Sequence, residues 1–77
     1  MSQNDISACV YGALNQYFRD LDGESPSAIY AMVIKSVEKP MLEVVMEQAG
    51  GNQTVAAEML GINRNTLRKK LTEYQLL

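Results

Sequence analysis

Histidine is absent from this chain, and cysteine occurs once, at Cys9. A lone cysteine forms no intrachain disulfide, and without histidine the usual Cys/His zinc site is excluded. The same absence removes the commonest general base. With no metal-ligand cluster and no glycine-rich phosphate loop, no acid, base and nucleophile set can be assembled, so neither a cofactor nor enzymatic activity is expected. No basic, apolar leader is seen, nor any run of about 18 apolar residues, so neither a signal segment nor a membrane span is expected. One cysteine beside five methionines suits a reducing cytoplasm.

The 77 residues leave room for one small domain, and a chain of that size buries only roughly 60–65% of the surface it exposes unfolded. With disulfides and metals excluded, oligomerisation is the remaining way to complete a core. Charge is unevenly spread. Residues 1–49 carry three basic and seven acidic side chains, a balance of −4, whereas residues 50–77 carry four and two, a balance of +2. All four cations of the second segment, Arg64, Arg68, Lys69 and Lys70, fall within "GINRNTLRKKL". Such an asymmetry points to a polyanionic partner for the C-terminal end.

Apolar positions at Ile6, Cys9, Val10, Ala13, Leu14, Tyr17, Phe18 and Leu21 repeat at steps of three and one, the stripe of an amphipathic helix. This spacing predicts a first helix over about 5–21, ended by Asp22 and Gly23, with Cys9 as a buried small hydrophobe. Gly12 inside it suggests a close approach to another backbone. A second helix is predicted from "GESPSAIY", with Ser25 as cap and Pro26 in the first helical position, running to Gly50 and Gly51. Its second half is apolar on more than one side, which a partner subunit explains better than a single chain's core. On that face a charge at Val45 is expected to break a dimer. Pro40 lies inside, and because the pattern resumes after it, one kinked helix is predicted.

The remainder reads as two short helices. Asn52 can cap the first, about Gln53–Leu60, with Ala56, Ala57 and Leu60 turned inward; Gly61 supplies the turn, Ile62 plugs it, and Asn63 can cap the second, about Arg64–Tyr74. These are the dimensions of a helix-turn-helix. Leu67, Leu71 and Tyr74 share the inner face of the last helix, while Asn65, Arg68, Lys69 and Thr72 project from the other, so the basic run belongs outside. Its first turn, Asn63, Arg64, Asn65 and Thr66, offers groups for base edges and phosphates. The helix start at Asn52–Thr54 offers backbone N–H groups to a phosphate.

The stretch "GNQTVAAEMLGINRNTLRKKL", extended upstream through "EKPMLEVVMEQAGGNQT" and more loosely through "ALNQYF", resembles the bacterial Fis family, the factor for inversion stimulation, and the Fis-type domains that end many enhancer-binding activators. The resemblance implies an all-α, four-helix subunit covering residues 1–77, with dimerisation helices over about 5–49 and a helix-turn-helix over about 50–77, assembled as an intertwined homodimer. It implies sequence-tolerant binding and bending of double-stranded DNA by the homodimer, as a nucleoid-associated transcriptional regulator, with RNA polymerase as a candidate partner. In it Asn63 and Arg64 would approach base edges, and Asn52, Thr54, Thr66, Arg68 and Lys69 would hold phosphates, beside Asn65 and Lys70 of the same basic run. Enterobacterial members carry basic residues where this chain has Gly50, Val55, Thr72 and Glu73, and glycine in place of Asn65, so weaker wrapping and a flatter salt dependence are expected. Stimulation of recombination is not expected, because a β-hairpin arm has no room before the first helix. The alternatives are the DNA-binding domain of an enhancer-binding activator and a helical protein-interaction module without DNA binding.

Overall fold

A computed structural model describes residues 3–77, with side chains from Asp5 onward. Residues 1 and 2 of the expected domain lie outside the described residues. Four helices follow one another, α1 (Gln3–Leu21), α2 (Ile29–Gln48), α3 (Gln53–Leu60) and α4 (Arg64–Glu73), with no strand among the described residues. The fold is all-α, as expected. Among the described residues no helix is long and apolar enough to cross a membrane.

The chain packs as two compact units that divide between Val33 and Ile34, inside α2. In the first unit, α1 ends where its composition says it should. Asp22 and Gly23 both take positive φ, 50° and 89°, a conformation that aspartate tolerates and glycine adopts freely. No residue from Asp5 to Val33 is fully buried. Ile6, Tyr11 and Phe18 of α1 are exposed, and so is Cys9, against expectation. A Cβ added at Gly12 would meet nothing within 4 Å beyond its own helix, so none of the described residues makes the expected close approach there.

The start of α2 differs from the prediction. Its first turn begins at Ile29, with Met32 N–H donating to the Ala28 carbonyl, while Ala28 itself sits at φ 55°. Residues 24–28 are all exposed. A longer helix would have fixed those residues without burying apolar surface, and local propensity alone seldom offsets that ordering cost. Pro40, by contrast, is accommodated within one continuous helix.

The core belongs to the second unit. Leu42 of α2, Ala56 and Ala57 of α3, and Leu67, Leu71 and Tyr74 from α4 and its end form one buried cluster, flanked by Val45, Met46, Ala49, Leu60, Ile62 and Leu76. Small side chains at 56 and 57 let the helix axes approach. The width of the apolar surface of α2 is now resolved into two faces. One carries Leu42, Val45, Met46 and Ala49 into this core. The other carries Tyr30, Ile34, Val37, Met41 and Val44, all exposed, at 80% for Tyr30 and 58% for Val44. Steps of four, three, four and three are those of a coiled-coil seam.

Three helices end in the same hydrogen-bond motif. At α3, Ile62 N–H donates to the Ala57 carbonyl and Gly61 N–H to the Glu58 carbonyl, with Gly61 at φ 74°, the Schellman arrangement. Gly50 and Gly51 close α2 in the same way. At α4, Leu76 N–H donates to Leu71 and Gln75 N–H to Thr72, but here the left-handed residue is Gln75, at φ 59°. A non-glycine residue in that conformation is strained, so Gln75→Gly is expected to stabilise the fold by about 0.5–1 kcal/mol after the extra unfolded-state entropy of glycine is subtracted. Chemical denaturation midpoints of the two chains at equal slope measure the difference.

Candidate nucleic-acid interface

The candidate interface is built by α3, the turn over 61–63, and α4. Asn52 caps α3, its side-chain oxygen accepting from Val55 N–H at 3.1 Å. Asn63 caps α4, its oxygen accepting from Asn65 N–H at 2.7 Å. Both caps have extended backbone, the geometry that lets a short polar side chain reach back to the helix it precedes. The oxygen of Asn63 is thereby committed to the fold, and its NH₂ group is the donor that it can offer a ligand.

Leu67 and Leu71 are fully buried, and this fixes which side of α4 turns outward. Asn63, Arg64, Asn65, Thr66, Arg68 and Lys69 are exposed, as are Asn52 and Thr54 at the start of α3. Asn65, Arg68, Lys69 and Thr72 together line a shallow surface concavity. The Thr72 hydroxyl donates back to the Arg68 carbonyl at 3.0 Å, holding its side chain against the helix. Arg64, Arg68 and Lys69 form no ion pair with any of the described residues.

Lys70 stands apart from the other predicted site residues. Its side chain is 33% exposed, and Nζ lies 2.7 Å from Oε2 of Glu38, which is 16% exposed. The other oxygen of that carboxylate accepts from the Tyr74 hydroxyl at 2.6 Å. Position 70 lies on the flank of α4 that faces α2, because it precedes Leu71 by one residue and Tyr74 by one turn. The basic run is thus divided into three outward cations and one that serves packing. Glu38 was not anticipated. Its signal lay in its position one turn before Leu42 on the core-facing stripe of α2, where a carboxylate needs a partner.

These bonds set the ionisation of both acids. Hydrogen bonds from Lys70 and then Tyr74 hold the Glu38 carboxyl below its ordinary value of 4.5. The hydrogen bond to Glu38, with burial added, pushes the Tyr74 hydroxyl up from 10.0 to about 12. Among the described residues no group of three or more His, Cys, Asp or Glu side chains can hold a metal.

Residues 33–74 match the family model described as bacterial regulatory protein, Fis family. The chain is 57% identical over 77 residues, all of both chains, to a Fis-like DNA-binding protein of Ralstonia nicotianae. It is 59% identical over 73 residues to one of Neisseria meningitidis serogroup A, covering 95% of this chain and 92% of that one. Similarity to the DNA-binding protein Fis of Glaesserella parasuis is 55% over 62 residues, 80% of this chain and 63% of the other.

The two shifted acids predict a stability plateau with opposite edges. A lowered Glu38 pKa contributes stability that is present above 4.5 and lost as pH falls through the folded value. The raised Tyr74 pKa contributes stability that is complete below 10.0 and lost as pH climbs toward about 12. Thermal melts across pH should therefore show a gap between the native chain and Tyr74→Phe that is constant between those edges and closes beyond them. A gap that does not vary with pH would contradict the bond.

Proposed function

Because the chain belongs to the Fis family of bacterial regulatory proteins, we propose that it acts as a homodimer that binds and bends double-stranded DNA, organising the nucleoid and regulating transcription. The observation that carries this reading is the outward face of α4, where Arg64, Arg68 and Lys69 stand exposed and without ion pairs among the described residues. An arginine in the first turn of such a helix can reach guanine in the major groove with both ends of its fork. Asn63 adds a donor beside it. Arg68, Lys69 and Thr66 then fall to phosphates, together with Asn52, Thr54 and the free N–H groups that begin α3. Asn65 lies in the same concavity, within reach of either. Lys70 is assigned to Glu38 and not to DNA.

The dimer is supported by the exposed seam of α2, Tyr30, Ile34, Val37, Met41 and Val44, and by the apolar side chains that α1 leaves uncovered. Patches of this kind on a small chain mark an interface, and a second copy offers the matching seam. Val45 is unsuitable as the test position, since it packs against its own subunit's core. Val44→Lys instead places a charge on the seam. Sedimentation should show the native chain as a dimer at micromolar concentration and Val44→Lys as a monomer with retained helical signal; a dimeric variant would reject the seam as the interface.

DNA binding should be steep in salt. If two to three cations per subunit neutralise phosphates, affinity for random duplex falls by about two to three orders of magnitude between roughly 50 and 200 mM salt. Lys69→Ala should flatten the logarithmic slope by about 2 per dimer, and Lys70→Ala should leave it unchanged. Arg64→Ala should cost about 1–3 kcal/mol of preference for the best duplex. Gel-shift titrations measure all three, and a native chain that shifts no duplex at the lower salt would leave an interaction module without DNA binding.

A further inference from the structure

One polar cluster in the second unit remains outside the proposed DNA contacts. Glu38 receives two hydrogen bonds from the α4 end of the molecule, one on each carboxylate oxygen, from Lys70 at 2.7 Å and Tyr74 at 2.6 Å. Those donors are four residues apart, so they stand one above the other on a single flank of the last helix. We infer that Glu38 is a positioning residue for sequence reading, gripping Lys70 and Tyr74 so that α4 is fixed in rotation about its own axis; the inference rests on the DNA-binding function proposed above.

Rotation needs such a grip. Leu67 and Leu71 hold α4 in the core through apolar contacts, and the attraction between apolar surfaces is non-directional. Charge-assisted hydrogen bonds are short and directional. A turn of about 20° at a side-chain radius of about 6 Å displaces the outer face by ~2 Å. Reading a base edge requires placement to within about 0.5 Å and 10–20°. Attraction of cations to phosphates tolerates far more. Loosening the grip should therefore damage discrimination between sequences while sparing non-specific attraction. The front of α4 is already anchored by Gly61 and Asn63, and Glu38 anchors the back. Tyr74 is itself buried, which shields its bond to Glu38 from competition with water.

The test compares the full chain on two probes, a duplex selected by the native protein from a random-sequence pool and a duplex of random sequence. Glu38→Ala is expected to lower the affinity ratio on the order of tenfold, the worth of one base contact, while affinity for random duplex stays within about twofold. Glu38→Gln keeps an acceptor for Tyr74 without the charge for Lys70 and should fall between. Tyr74→Phe, which keeps the aromatic volume, should lower the ratio in the same direction and serves if Glu38→Ala fails to fold. A purely structural role would lower both affinities together by shrinking the folded fraction, and that result overturns the inference. So does an unchanged ratio, or a native chain that binds without preference. A native chain that shifts neither probe removes the DNA-binding function first and the positioning role with it, whereas selective native binding with equally selective variants removes the positioning role alone.

Discussion

The packing of Leu42 against the inner face of α4 is the constraint on which the functional surface depends. Leu42, Leu67 and Leu71 are the largest fully buried side chains among the described residues, and they set which side of α2 and of α4 turns toward the core, leaving the finer rotation of α4 to its polar bonds. Turning Leu67 and Leu71 inward turns Arg68 and Lys69 outward, because residues one position apart on a helix point about 100° apart. Ala56 and Ala57 complete the arrangement by allowing α3 to lie close. Larger side chains at those two positions would push α3 outward and carry the α3 start, with its free N–H groups, away from the plane of α4. The chemistry of the outer face is therefore a consequence of apolar packing on the inner one.

Much of this was legible in the sequence, for identifiable reasons. The last two helices are short and punctuated by residues with strong positional meaning. Asn52 and Asn63 cap, and Gly61 takes the positive φ that its place after a helix implies. Periodicity alone assigned Leu67, Leu71 and Tyr74 to the core. The start of α2 was not legible, because Ser25 and Pro26 are good cap and first-turn residues whose local preference was not supported by any burial. The bond from Lys70 to Glu38 was hidden because a run of three cations reads as one patch until its flanks are resolved. Glu38 was hidden too, although a carboxylate on the stripe of Leu42, Val45 and Ala49 was a signal that a partner had to exist. Cys9 was assigned to a buried stripe from its spacing, yet a single subunit offers nothing to bury it.

The exposure of that stripe and of the α2 seam bears on energetics. A unit in which no residue is fully buried gains little from folding alone, since the ordering of each residue costs about 1–2 kcal/mol that burial must offset. The second unit, with a contiguous core, is where intrinsic stability concentrates. Helix α2 belongs to both, and its two apolar faces are distinct sets of residues. One helix thus places Leu42 in its own core and leaves Val44 exposed for the proposed second copy, without either demand compromising the other. A substitution on one face tests one role, as the contrast between Val45 and Val44 makes plain.

Charge then explains why positioning should matter more here than in a strongly basic protein. A chain of net charge −2 gains little from the diffuse attraction that draws basic proteins to DNA, since its acidic N-terminal segment opposes the approach. On the proposed function, what attraction it has comes from a few cations on one helix face, while Lys70 is paired with Glu38 of α2. With non-specific affinity low, a greater share of binding free energy must come from contacts that require registration with the groove. In the proposed role, an α4 held in the correct rotation would make those contacts without reordering on arrival, so less of the interaction energy would be spent on immobilising the helix. On the proposed function, an acidic chain therefore depends more on the two short bonds by which Lys70 and Tyr74 tie the end of α4 to Glu38 of α2.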